Sequence, residues 1–125
     1  MGRNARSRQG GPWMNEDQYI PEKGDVVWID FDPAAGQEIK KRRPGVVVSR
    51  YEFNRATWFA VICPITSTIN KMPVRFTLPD ENKINGQVLV QQLKSLDFKA
   101  RNIQFVEKLS EVDNKKIDQI IEYIF

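Results

Sequence analysis

Residues 23–49, KGDVVWIDFDPAAGQEIKKRRPGVVVS, decide the fold. Val26, Val27, Trp28, Ile29 and Phe31 are β-branched and aromatic side chains, which fit a pleated, half-buried surface, and Pro33 and Gly36 close the run. A polar, basic stretch follows. Val46-Val47-Val48 then resumes as a second strand just past Pro44. Outward from this pair, further short strands are expected. TWFAVIC (57–63) gives a third, which Pro64 should end or confine to an edge. Val74, Phe76 and Leu78 alternate with Arg75 and Thr77, the pattern of a half-buried strand. Asn85-Gly86 is a turn dipeptide before Val88-Leu89-Val90, and Ile103, Phe105 and Val106 supply a last short strand.

The period changes at the C-terminus. Ser110 with Asp113 three residues on resembles a capping box, and Ile117, Ile120, Ile121 and Ile124 fall at i, i+3, i+4 and i+7. That stripe predicts a helix that covers an open sheet face or joins a subunit interface. Short, closely spaced strands with one terminal helix point to a mainly β fold, a small, strongly bent barrel. At 125 residues the chain fits one domain able to bury about two-thirds of its unfolded surface. The charge of +3 belongs to the head. Residues 1–14 carry Arg3, Arg6 and Arg8 and no acid, and without them bases and acids balance at 16 each. We read 1–14 as a flexible, tag-like leader, with a basic RNA-binding arm as the functional alternative, and 15–125 as a single domain.

Composition excludes several chemistries. The chain has no histidine, so Ser-His-Asp and Cys-His catalysis, two-histidine RNase chemistry and His-containing zinc sites are ruled out. The one cysteine, Cys63, sits in an apolar run with no base partner and reads as inert core; it can form no internal disulfide. No apolar run approaches about 18 residues, so no membrane span is expected. The expected location is the cytoplasm.

The strongest chemical signal is Lys40-Lys41-Arg42-Arg43 between two strands. Residues 36–55 hold six bases against two acids, Glu38 and Glu52. Such a loop suits a phosphate backbone, since arginine grips phosphate oxygens with a bidentate fork; it is equally a solvated loop of no special role. Asp30 and Asp32 share a strand face and could hold Mg²⁺, or merely keep a strand end soluble. Thr66, Ser67 and Thr68 can bond phosphate or form a turn. Gln91, Gln92, Lys94 and Ser95 make a polar patch after an apolar strand, where two glutamines cost desolvation unless something binds them. Trp28, Trp58 and Phe59 could stack bases but inside strands are ordinary core.

Taken together, residues 23–49, ICPITST (62–68) and QQLKSLDFKAR (91–101) resemble the MazF/PemK-type toxins of bacterial toxin–antitoxin pairs, in the same order and spacing. The resemblance runs from about Tyr19 to the C-terminus and makes 15–125 the toxin domain. It implies an SH3-like (CcdB/PemK-like) barrel and a sequence-specific, ribosome-independent mRNA endoribonuclease that needs no metal or other cofactor. It also implies a homodimer, single-stranded RNA as substrate, cleavage through the ribose 2′-hydroxyl, and a cognate antitoxin that covers the RNA groove. The related CcdB-type gyrase poisons make a noncatalytic toxin one alternative; an inactive RNA-binding barrel is another.

Residue by residue, Gly36, Glu38, Arg43 and Pro44 match the family loop, while Ile39 replaces the usual Gln and Lys41 the usual Gly. Thr66 matches the family threonine that works with the arginine, and Gln92 the glutamine of the RNA groove. Gln91 stands where many members carry an acid, so a scheme using that acid as base fails here. The resemblance therefore implies Arg43, Thr66 and Glu38 as catalytic, with Lys40, Lys41, Arg42, Ser67, Gln91, Gln92 and Lys94 as RNA-binding. Arg43, always protonated, would clamp charge developing at phosphorus; Glu38 is the candidate base and Thr66 the hydrogen-bond bridge, with Ser67 as helper.

Overall fold

The computed structural model of the chain describes residues 18–31 and 42–125. The expected leader over 1–14 lies outside them, as do Asp32, Glu38, Lys40 and Lys41. Seven strands form among the described residues: β1 (Asp25–Asp30), β2 (Arg42–Val47), β3 (Ala60–Thr66), β4 (Arg75–Thr77), β5 (Gln87–Leu89), β6 (Lys94–Leu96) and β7 (Gln104–Lys108). All pair antiparallel in the order β4–β5–β3–β2–β1–β7, with β6 pairing β3 beside that path. The mainly β architecture with a C-terminal helix is as expected. Among the described residues the sheet does not close, so the expected barrel holds only loosely, with β4 and β7 at the ends of the path.

Consecutive valines explain how both faces are covered. Side chains alternate across a strand, so Val26 and Val46 go to one face and Val27 and Val47 to the other. The first face packs Val26, Val46, Cys63, Ile65, Val88 and Val90 beneath Ile117. The second packs Val27, Ile29, Phe31, Val47 and Ile62 with Leu96 and Phe98. The helix α2 (Glu111–Ile124) closes the first face. Its Ser110 cap accepts the Asp113 N–H at 3.1 Å, and Ile117, Ile120, Ile121 and Ile124 all turn onto the sheet. Of the two roles open to that stripe, it covers the sheet.

Four expectations need correcting. The third strand starts at Ala60 rather than at Thr57, because Thr57 closes a helix, α1 (Tyr51–Thr57), that the sequence did not signal and that Trp58 ends in the left-handed conformation at φ 63°. Its only buried residue is Asn54, so it has no apolar period to read. Asn54 instead donates to the Pro21 and Ser49 carbonyls and accepts from the Ser49 hydroxyl, which ties α1 to both flanking segments. Pro64 does not end β3. That strand pairs β6 through Ala60–Ile62 and β5 through Ile65–Thr66, and Pro64 falls in the gap between these partners, where a missing N–H costs little. Val90 leaves the strand for a 3-10 turn, Val90–Gln92, which spans the same gap. Finally, β2 starts at Arg42 rather than beyond Pro44, which carries Arg42 and Arg43 onto the sheet.

Candidate phosphate-binding site

Strand pairing fixes where the two key side chains stand. β2 and β3 pair as Val47↔Ile62, Val46↔Cys63 and Gly45↔Pro64. A Cβ on Gly45 would lie 2.6 Å from Ile62 Cγ2 and 2.9 Å from the Cys63 carbonyl, so only glycine lets the strands approach this closely. Beyond that pair no further bridge forms, and continuing the register two residues sets Arg43 level with Thr66. Arg43 also pairs with Ile29 of β1, and Thr66 with Gln87 of β5. By alternation, Arg43 and Thr66 both project from the face that carries Ile29 and Ile62, at the end where β2 and β3 have parted. Arg43 is exposed and Thr66 half-buried.

The neighbouring arginines are not equivalent. Arg42, on the opposite face, donates to the Asn102 carbonyl at 2.7 Å and to Gln104 Oε1 at 3.0 Å, and lies 3.6 Å from the Asp30 carboxylate. Its fork is occupied in fastening β2 and β1 to β7. The Arg43 side chain makes no hydrogen bond or ion pair among the described residues, so its five donors are available to a phosphate.

The hydroxyl of Thr66 is oriented. Its Oγ1 accepts the Thr68 N–H at 3.1 Å, and its own O–H donates to nothing among the described residues. A hydroxyl whose oxygen already accepts a backbone N–H is left to act as a donor, which suits a phosphate oxygen. Ser67 is exposed beside it. Lys94 pairs opposite Ile62 and so projects from the same face, four residues along β3 from Thr66, about 13 Å at the usual rise per residue. Gln91 and Gln92 stand exposed on the 3-10 turn beside the Pro64 gap, between the levels of Thr66 and Lys94. Because both are solvated, the desolvation argument made for them from sequence does not apply.

Glu38, Lys40 and Lys41 belong to the connection between β1 and β2 and lie outside the described residues. The described part therefore brings together Arg43, Thr66, Ser67, Gln91, Gln92 and Lys94 and turns Arg42 away. Cys63 is fully buried on the other face, where burial pushes its thiol up to about 12; it is no nucleophile at neutral pH. Two residues the sequence did not single out complete the surroundings. Gln87, 4% exposed, and Arg75 hold the loop that follows Thr66. A glutamine directly after the turn glycine, inside an apolar strand, was the available signal.

Among the described residues, an unpaired guanidinium and a hydroxyl held by a backbone N–H, at the parted end of one sheet face, give a small β-sheet protein groups whose chemistry suits an oxyanion such as a phosphodiester. The chain belongs to the PemK-like, MazF-like toxins of type II toxin–antitoxin systems, whose family model matches residues 22–125. The endoribonuclease toxin MazF of Escherichia coli (strain K12) is 34% identical over 84 residues, which cover 67% of this chain and 75% of that protein. Endoribonuclease PemK of Escherichia coli is 31% identical over 94 residues, covering 72% and 71%. Among solved structures, MazF from Deinococcus radiodurans superimposes with a TM-score of 0.76 at 30% identity, over 85% of this chain and 96% of its own. A MazE–MazF complex from the same organism gives 0.75 at 26% identity, covering 85% and 95%.

Proposed function

We propose that this toxin is an endoribonuclease that cuts single-stranded mRNA sequence-specifically, independently of the ribosome and without a metal, and that a cognate antitoxin neutralises it in the cytoplasm. What supports this best is that Arg43 and Thr66, by strand alternation and by continuing the register beyond Gly45↔Pro64, fall on one face at the parted end of β2 and β3. Relatives named as endoribonuclease toxins and a solved MazE–MazF pair support it. The exposed Tyr123 and Phe125 at the end of α2 offer apolar surface to a second copy, in keeping with a homodimer.

In the proposed reaction the ribose 2′-oxygen loses its proton to a base and attacks the adjacent phosphorus. The bond to the 5′-oxygen breaks and that oxygen takes up a proton, leaving a 2′,3′-cyclic phosphate and a 5′-hydroxyl. Negative charge builds on the non-bridging oxygens, and Arg43 meets it with a fixed charge and a two-pronged hydrogen bond. Thr66 donates its free O–H to the same phosphate. Glu38 is the proposed proton acceptor. Lys94, Gln91, Gln92, Ser67, Lys40 and Lys41 would hold the flanking nucleotides, with Arg42 adding charge while its donors stay on β7. Specificity would come from bases splayed against this surface.

Incubation of the pure protein with a long transcript in EDTA tests the proposal. Discrete fragments with 5′-hydroxyl ends, absent with Arg43→Ala, are expected. Intact RNA with inhibited DNA supercoiling would point to a gyrase poison, and bound but uncut RNA to an inactive binder.

A further inference from the structure

The Thr66 hydroxyl is set by Thr68, and Thr68 lies in a loop that has to be held by something else. Pairing aligns Thr66 of β3, Gln87 of β5 and Thr77 of β4 in one row, so their side chains share a face. Residues 67–74 cross that face, and the Gln87 amide is where they are fastened. Its Oε1 accepts the Asn70 N–H at 3.0 Å and an Arg75 N–H at 3.1 Å. Its Nε2 donates to the Asn70 carbonyl at 3.0 Å and to Thr77 Oγ1 at 2.9 Å. Both donors and both acceptor positions are used, so the amide has one orientation only and is almost fully buried. The Arg75 nitrogen bonded to Gln87 also donates to the Thr68 carbonyl at 2.9 Å. Thr68 is thus held at its carbonyl by Arg75, while its N–H points at Thr66 Oγ1.

We infer that Gln87, acting through Arg75 and the 67–74 loop, is a positioning residue that aims the Thr66 hydroxyl at the scissile phosphate. This rests on the endoribonuclease reading above. Gln87 is itself covered by the loop and touches no substrate. Its influence travels by a continuous chain of hydrogen bonds, Gln87 to Arg75 to Thr68 to Thr66. Loss of the pin lets the hydroxyl rotate among rotamers, which lowers the fraction of complexes ready to react without removing any group that grips RNA. The effect belongs in kcat rather than KM.

The test is a double-mutant cycle on RNA cleavage. Gln87→Met keeps length and volume and removes all four hydrogen bonds. We expect kcat to fall on the order of 10-fold or more, with KM changed by less than about 3-fold. In a Thr66→Ala background, whose residual rate is read at high enzyme concentration, the same substitution should change nothing. An equal loss in both backgrounds, or a loss confined to KM, overturns the inference. Should Gln87→Met fail to fold, Arg75→Met is read by the same two criteria. Amide exchange separates this from failure of the nuclease reading. If the wild-type chain cuts no RNA, that reading fails, whereas unchanged Asn70 and Thr68 exchange in Gln87→Met would overturn the pin itself.

Discussion

Gly86→Ala should damage catalysis and stability together, whereas the same change at Gly24 should damage stability alone. Gly86 has φ +129°, outside the range that side-chain-bearing residues readily adopt, and a Cβ there would lie 2.3 Å from the Thr66 carbonyl oxygen. Real Cβ atoms essentially never come within 3.0 Å, so Thr66 and Gly86 must separate by about 0.7 Å. Backbone strain and displacement together cost about 3 kcal/mol, roughly 12 °C in melting temperature at this chain length. Because the displaced residue carries the hydroxyl proposed to bond the scissile phosphate, kcat should fall on the order of 10²-fold. At Gly24 φ is +93° and the new Cβ meets Asn114 Nδ2 at 2.5 Å, the end of a side chain that can swing away. That variant should melt lower yet cut RNA within about 2-fold of wild type at a temperature where both are folded. Melting by circular dichroism and single-turnover cleavage on the same preparations decide it. A Gly86→Ala enzyme that is destabilised but fully active would refute the placement of Thr66 in the chemistry.

Replacing Arg43 by alanine should slow cleavage about 10²–10³-fold, and Arg43→Lys should recover only part of it, since lysine keeps the charge but not the fork; initial rates on one defined RNA measure both. Asn54→Leu should cost about 3 kcal/mol in urea unfolding, because it strands the Pro21 and Ser49 groups that Asn54 serves inside the fold. Cys63 should resist iodoacetamide at pH 8 in the native state and react once unfolded. Its folded value near 12 lies above the unfolded 9.0, so the native state holds the proton longer and stability falls as pH rises from about 9, by up to about 1.4 kcal/mol per unit.

How much the sequence revealed depended on what each residue packs against. Paired valines, the Asn-Gly turn and the isoleucine stripe announced strands, turn and helix because their partners are apolar and periodic. The α1 helix stayed hidden because its buried contact is the single polar Asn54. β3 was cut short at Pro64 because the gap between β5 and β6 is a property of the whole sheet, invisible along one strand. At the site, Arg43 and Thr66 followed from the family resemblance, but their common face rests on a register that runs through Gly45↔Pro64. That Arg42 serves β7 and Arg43 does not follows from alternation once β2 is known to begin at Arg42. For Gln87 the sequence offered only a glutamine after the turn glycine in an apolar strand, and for Arg75 no signal, since their meaning depends on a loop folding back over three strands.

The most direct test of the account is whether Arg43 and Thr66 work on one phosphate. Cleavage rates of Arg43→Ala, Thr66→Ala and the double variant, measured in EDTA on a short RNA holding one cut site, supply it. Groups that act as a unit are not additive, so the double variant should be about as slow as the slower single one. Losses that multiply, or a single variant with wild-type rate, would contradict it.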